Sequence, residues 1–378
     1  MAPLLAHLTP RLRLPVIVLE IGFGILVGPQ VLHWGEVGPV IGALSRLGLS
    51  FLFFLAGFEI DFKHIRGRPI KLAVIGWLIS LGLALLVGQL LKMFGLITSD
   101  LVTPIILTTT ALGVLSPILK DEGEDKTRFG AFVQASGALG EFGPILLISI
   151  LLTTEDGGGI KATLFIVLFA LIAMLGGFLA ARLRPHFLVD AFRARMNTSS
   201  ALPLRACVLI LLVLAMLTRQ LGLESILGAF AAGIVVSLAA NGKNRDALQQ
   251  KLEGIGYGFL IPIFFVASGM NYDLNDLISS PRSLLRLPFF LVLFLLVRGL
   301  PALIYRKDLS RKDQLSLALF SSTTLPLVIA VTAIGVETGR MHGDNAAALV
   351  GAGMVSVFLF PAIALWIRHR AEKWKLRA

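Results

Sequence analysis

Apolar stretches about as long as a bilayer is thick recur along the whole chain. A spanning helix needs about 20 consecutive apolar residues. The sequence supplies twelve such runs, at roughly 14–33, 39–58, 70–92, 101–119, 129–153, 160–182, 203–218, 222–240, 254–271, 284–305, 314–336 and 346–368. Hydrocarbon offers no water to the backbone N–H and C=O groups, so segments of this length satisfy them internally, as helices. The runs are joined by short loops. With 56% hydrophobic residues, against about 45–50% in soluble proteins, the chain reads as an all-α polytopic membrane protein of about 12 transmembrane helices.

The charges sort by side. Of the 34 Lys and Arg residues, 26 fall on one set of alternate loops and the two termini, six on the other set, and Arg46 and Arg298 within spans. Cytoplasmic loops carry the basic excess, so both termini are expected in the cytoplasm, with the chain in the cell (inner) membrane. The net charge of +11 is then a topology signal and gives no reason to expect a nucleic-acid partner. A single cysteine, Cys207, excludes a disulfide framework and a Cys-rich metal site. The six histidines lie near the ends of apolar runs, so none suits a mid-membrane ligand or base. No cofactor is expected.

Segments recur about 210 residues apart. "LEIGFGILVGP" (19–29) pairs with "LESILGAFAAGIVVS" (223–237), "FLFFLAGFEIDF" (51–62) with "FLIPIFFVASGMNYDL" (259–274), and "TTTALG" (108–113) with "SSTTLP" (321–326). The matching spans enter the membrane from opposite sides, which makes the repeats inverted, as in many secondary transporters. The expected organisation is a first repeat over 1–159 with its leading helix missing, a linker helix over 160–184, a second, inverted repeat over 203–370 and a basic tail over 371–378.

Within "QASGALGEFGPILL" (134–147) stands one carboxylate, Glu141. A carboxylate at mid-membrane costs about 2.5–3.5 kcal/mol on insertion scales, and such residues default to function. The bland alternative is a protonated packing residue. Pro144 has no N–H for the carbonyl of Gly140, and Gly137, Gly140 and Gly143 allow a neighbouring helix to come close. An oxygen-lined pocket for a hard monovalent cation is the expectation. The hydroxyl clusters "TTTALGVLSP" and "SSTTLP" each carry a proline near mid-helix: Pro117 frees the carbonyl of Gly113 and Pro326 that of Ser322, so broken helices with exposed backbone groups are expected there, with Ser322 and Thr323 in a structural role. Arg298 stays protonated. It either balances a buried carboxylate or a free helix C-terminus, or snorkels to the interface. Glu20, inside the first span, is a packing partner or a second titrating group. Glu59 and Asp61, beside Lys63 and Arg66, read as a solvated rim.

These residues resemble the second family of monovalent cation:proton antiporters, the Kef-type sodium or potassium/proton exchangers. The resemblance runs over nearly the whole chain, through "LPVIVLEIGFGILVGP", "FLFFLAGFEID", "LGAFAAGIVVS" and "IPIFFVASGMNYDL". It implies two crossing broken helices in a core domain, an interface domain and a homodimer. It puts the ion-binding aspartate on Glu141, the position before it (Asp, Asn or Gln in relatives) on Gly140, the threonines of the first broken helix on Thr109 and Thr110, and the buried basic residue on Arg298, where many relatives have Lys. Relatives with two acidic residues tend to be electrogenic and those with one electroneutral. Many carry a cytoplasmic regulatory domain, so a separate regulatory subunit is a possible partner.

The expected function is therefore exchange of Na⁺ or K⁺ for H⁺ by alternating access, electroneutral, with no enzyme chemistry. The alternative is a Kef-type, channel-like potassium efflux pathway. The sequence has no His-Glu-x-x-His, paired Gly-Asp or Gly-x-Ser-x-Gly motif to support a membrane-embedded enzyme.

Overall fold

The computed structural model describes residues 15–61, 64–97, 101–153, 201–240, 242–278 and 281–375, and side chains of 242–244, 281–283 and 369–375 are left out. Every regular element among them is helical. In chain order these are α1 (Val16–Val27), α2 (Pro39–Glu59), α3 (Arg68–Met93), α4 (Val102–Leu107), α5 (Leu112–Asp121), α6 (Arg128–Thr153), α7 (Leu202–Gln220), α8 (Ser225–Ala239), α9 (Gly242–Ile255), α10 (Ile261–Met270), α11 (Leu274–Ile278), α12 (Pro281–Phe294), α13 (Arg311–Ser322), α14 (Pro326–Glu337) and α15 (Gly343–Lys375). A π turn, Gly256–Leu260, joins α9 to α10. A second, Leu295–Gly299, extends α12 and carries Arg298, and a 3₁₀ segment, Leu300–Lys307, follows it.

Among the described residues nine helical segments are long and apolar enough to cross a membrane, and Val16–Val27 and Ser225–Ala239 are shorter apolar helices. These eleven coincide with eleven of the twelve apolar runs. The remaining run, 160–182, and with it the expected linker helix, lies outside the described residues, as does the end of the tail beyond Lys375.

The chain divides into two compact units. One comprises Gly38–Asp61 and Ile145–Phe264. Its core is the pair α2 and α8. Phe51, Phe53, Phe54 and Phe58 of the "FLFFLAGF" run are all at most 1% exposed. Gly57 lies against the Phe230 carbonyl, and Gly233 against Phe54 and Phe58, leaving no room for a Cβ. Small residues at such contacts let helix backbones approach, and packing is the main force between helices in lipid. Arg245 donates to the Phe58 and Ile60 carbonyls at 3.0 and 3.3 Å and lies 3.8 Å from Asp61. The end of α2 is thus capped by a cation, as a helix C-terminus favours. Asp61 is ion-paired there instead of being a purely solvated rim residue.

The other unit comprises Met1–Val37, Phe62–Pro144 and Phe265–Ala378. Burial separates its helices by role. The window on Val102–Asp121 is 89% buried and that on Arg68–Met93 only 22%, so α4 and α5 are central while α3 turns one apolar face outward. Its basic end is closed by Phe129, Phe132, Tyr305, Leu309, Leu317 and Phe320 packed together. Ion pairs lie over this cluster. Asp308 meets Arg68 and Arg128, and Arg368 meets both Glu124 and Asp313 while lying 3.8 Å over the Phe129 ring.

Candidate ion-binding site

Two helices of this second unit are interrupted, and the interruptions meet. The first break is Thr108–Ala111, between α4 and α5. There Thr108 and Thr109 turn their hydroxyls back to the Ile105 and Ile106 carbonyls at 2.8 and 2.7 Å. This side-chain competition for backbone acceptors is the known way Thr weakens a helix. The second break is Thr323–Leu325, between α13 and α14, and Pro326 opens α14 at its first turn, where a missing N–H costs nothing. Across the crossing the Ala111 N–H donates to the Thr323 carbonyl at 2.8 Å. The Thr324 hydroxyl meets that of Thr109, and the Thr110 hydroxyl donates to the Ser321 carbonyl. On α15, Ser356 accepts from the Thr324 N–H at 3.0 Å. The unwound backbone is therefore satisfied in part by its counterpart in the other half of the chain.

The first break does not lie where the proline placed it. Pro117 sits inside α5, which runs on through it. The interruption falls at the threonines, where the Thr323 carbonyl of the second break takes the Ala111 N–H and the Gly140 carbonyl of α6 takes that of Thr110. The Ser322 and Thr323 hydroxyls, at the end of α13, bond back to the Ala318 and Leu319 carbonyls at 2.7 and 3.1 Å.

Helix α6 lies against this crossing. Pro144 leaves the Gly140 carbonyl without its helical donor, and the Thr110 N–H takes it at 2.9 Å. That carbonyl is thus spent on anchoring the break and is not held open for a cation. The glycines provide the close approach. A Cβ on Gly137 would lie 2.9 Å from the Leu112 Cδ1, and one on Gly143 would overlap the Trp77 ring. A Cβ on Gly140 would come within 2.5 Å of Thr110 and 2.8 Å of the Arg298 Nη2. Gly140→Ala is therefore expected to destabilise the protein by about 1–3 kcal/mol, the usual cost of overpacking. A thermal melt of the purified variant checks this, and an unchanged midpoint would contradict it.

Glu141 follows Gly140 directly and is 3% exposed. Its Oε1 accepts from the Gly113 N–H at 3.3 Å. Gly113 is the second residue of α5, so the carboxylate sits at the start of a half-helix. The first N–H groups of a helix lack intrahelical acceptors and carry its positive dipole end. The break at Thr108–Ala111 therefore creates the helix terminus that receives Glu141.

Arg298 is also 3% exposed, so it does not snorkel. Its Nε and Nη2 reach the Thr110 hydroxyl at 2.9 and 2.8 Å. Nη2 also donates to the Ser136 carbonyl at 3.1 Å, Nη1 to the Ser80 hydroxyl at 3.3 Å, and Nε to the Ser321 carbonyl at 3.4 Å. Among the described residues all its hydrogen-bond partners are hydroxyls and carbonyls. The Ser321 carbonyl lies in the last turn of α13, so the guanidinium serves a helix C-terminus and ties α3, α6, the first break and α13 together.

Glu20 is 6% exposed on α1. This helix packs on α10 through Gly24 and Gly28, against Val266, Gly269 and Met270. Among the described residues Glu20 makes no hydrogen bond or ion pair with the residues of the crossing. Sequence reasoning assigned no individual role to Ser80, Ser136 or Ser356, and Ser321 and Thr324 stood in it only as members of the "SSTTLP" cluster. Each is a small hydroxyl in an otherwise apolar helix or beside the hydroxyl cluster, and that was the available signal.

The sodium/hydrogen exchanger transmembrane model matches residues 1–367. YjbQ of Bacillus subtilis, a protein named for Na⁺/H⁺ antiport, is 29% identical over 390 residues, covering 99% of this chain and 62% of that protein. The chain thus spans less than two thirds of that relative's length. The Na⁺/H⁺-K⁺ antiporter GerN of Bacillus cereus is 26% identical over 374 residues, covering 95% of this chain and 91% of GerN. In fold, the chain resembles the sodium proton antiporter MjNhaP1 of Methanocaldococcus jannaschii. The TM-score is 0.65 at 17% identity, over 97% of this chain and 94% of the other. With a family match over nearly its full length, this chain belongs to the sodium/hydrogen exchanger family.

Proposed function

We propose that the chain exchanges Na⁺ for H⁺ across the membrane by alternating access, and that Glu141 is the group both ions compete for. The observation that carries this is the burial of Glu141 at the start of α5, beside two crossed helix breaks. A carboxylate excluded from water is stabilised by a proton or by a cation, and one group does not hold both at once. Access from alternate sides then couples the two fluxes. Thr109, Thr110 and Gly140 shape the break that positions the carboxylate. Arg298 supports that break and carries no proton, since arginine stays charged.

The finer assignments belong to the same proposal. These are the Kef-type branch, K⁺ as a second substrate, a homodimer, the cell membrane as location, and cytoplasmic termini read from the basic excess. GerN's name speaks for testing K⁺. None of the relatives named above favours a channel-like efflux pathway. Proteoliposomes holding a pH-sensitive dye, challenged with Na⁺, K⁺ and Li⁺ in turn, test the function. Alkalinisation of the lumen on adding an inward cation gradient supports exchange, and cation flux without proton movement overturns it.

One titrating group implies one proton per monovalent cation, with no net charge moved. A charge crossing the membrane would be worth about 2.3 kcal/mol per 100 mV, so voltage is a sensitive probe. Na⁺-driven proton flux is expected to be the same at zero and at a large clamped potential. A clear voltage dependence would instead indicate a second titrating group and make Glu20→Gln the next variant.

A further inference from the structure

At the basic end of the second unit a cavity of about 550 Å³ opens between the 3₁₀ segment and the start of α13. It is lined by Leu303, Arg306, Leu309, Ser310, Arg311 and Gln314. We propose that it binds the phosphate headgroup of an anionic phospholipid, with Arg306 and Arg311 as the recognition groups.

The charges support an anion. Arg306, Lys307, Arg311 and Lys312 stand within seven positions, and among the described residues none of the four has a carboxylate partner. The two acidic residues of the same stretch are engaged with other groups, and Asp313 also accepts from the Ser310 hydroxyl at 2.8 Å. Asp308 holds Arg68 and Arg128, and Asp313 holds Arg368. Arg presents a planar fork that matches phosphate oxygens in a bidentate way. Ser310 caps α13 by accepting from the Asp313 N–H at 3.2 Å, so the cavity also borders the positive end of that helix, which favours a phosphate.

The apolar side supports a lipid over a free anion. Leu303 is 65% exposed, and Leu300 and Leu296 above it are 46% and 45% exposed. Their spacing of three and four residues puts them on one helical face. An apolar stripe therefore descends from the cavity along the membrane-spanning segment, where an acyl chain would lie. Basic pockets at the cytoplasmic ends of spanning helices are recognised headgroup sites. The proposal rests on the chain's membrane placement and does not depend on which ion it carries.

Native mass spectrometry of the detergent-purified protein tests it, with phosphatidylglycerol and phosphatidylcholine of identical acyl chains as probes and inorganic phosphate as a third arm. Phosphatidylglycerol adducts are expected on the wild type. Arg306→Gln/Arg311→Gln is expected to lose affinity for the first adduct by roughly tenfold or more. Arg66→Gln/Lys71→Gln, which removes two exposed charges at the same end, is expected to behave like wild type. If the double variant fails to purify, Arg311→Gln alone, at an exposed position, is expected to show a several-fold loss. Equal binding by wild type and Arg306→Gln/Arg311→Gln would overturn the proposal. So would equal retention of phosphatidylcholine, an equal loss in the control variant, or displacement of the lipid by millimolar phosphate.

Discussion

Glu141→Gln is expected to reduce Na⁺-driven proton flux to the level of empty liposomes while the protein stays folded. Glutamine is nearly isosteric, and its side-chain oxygen still accepts from the Gly113 N–H that Glu141 holds at 3.3 Å. The start of α5 therefore keeps its partner, and stability should change by no more than about 1 kcal/mol, as for a substitution without a cavity or strain. The amide neither titrates nor offers a charge to a cation, so the competition is removed at its source. Glu141→Asp should retain part of the flux with a changed ion preference, because the charge survives and the reach shortens by one methylene. Flux near the wild-type level in the Gln variant would remove Glu141 from the mechanism.

Arg298→Ala is expected to give the largest loss of stability of any single change at the crossing. The side chain is buried and donates to Thr110, Ser136, Ser80 and Ser321. Truncation leaves a cavity and removes donors from buried oxygens. Large-to-small core changes cost about 2–5 kcal/mol, and a buried polar group left unsatisfied costs about 1–3 kcal/mol. A combined loss of about 3–8 kcal/mol should lower the melting midpoint by on the order of 10 °C or more, at about 2–4 °C per kcal/mol. Arg298→Lys keeps the charge and loses the fork, and should fall between. A melt of Arg298→Ala that overlays the wild type would contradict the assignment of Arg298 as the tie between the breaks.

The spans were legible because hydrocarbon imposes one local rule, a helix of about 20 apolar residues, and eleven of the runs are helices here. Glu141 and Arg298 were legible because charge inside such a run is rare. The partners of these charges were not, because they are tertiary. Thr109 and Thr324 are 215 positions apart, Arg298 and Thr110 are 188 apart, and Gly113 is 28 from Glu141. Pro117 misled because a proline marks where a helix tolerates a missing donor. The break lies instead at Thr108–Ala111, where carbonyls of Gly140 and Thr323 take the freed N–H groups of Thr110 and Ala111. Pro144 was read correctly as freeing a carbonyl, but the occupant of that carbonyl is the Thr110 N–H, a group on another helix. Ser322 and Thr323 share a motif with Ser321 and Thr324. Only the backbone geometry at the end of α13 decides which hydroxyls turn back and which face the crossing.

The claim at the centre of this account is that one carboxylate holds either one proton or one cation. Counting protons released as Na⁺ binds to the purified protein, with a pH indicator in weakly buffered detergent solution at a pH where the carboxyl is protonated, tests it most directly. One proton released per Na⁺ bound, and none in Glu141→Gln, is the predicted result. Two protons per Na⁺, or Na⁺ binding with no release, would contradict it.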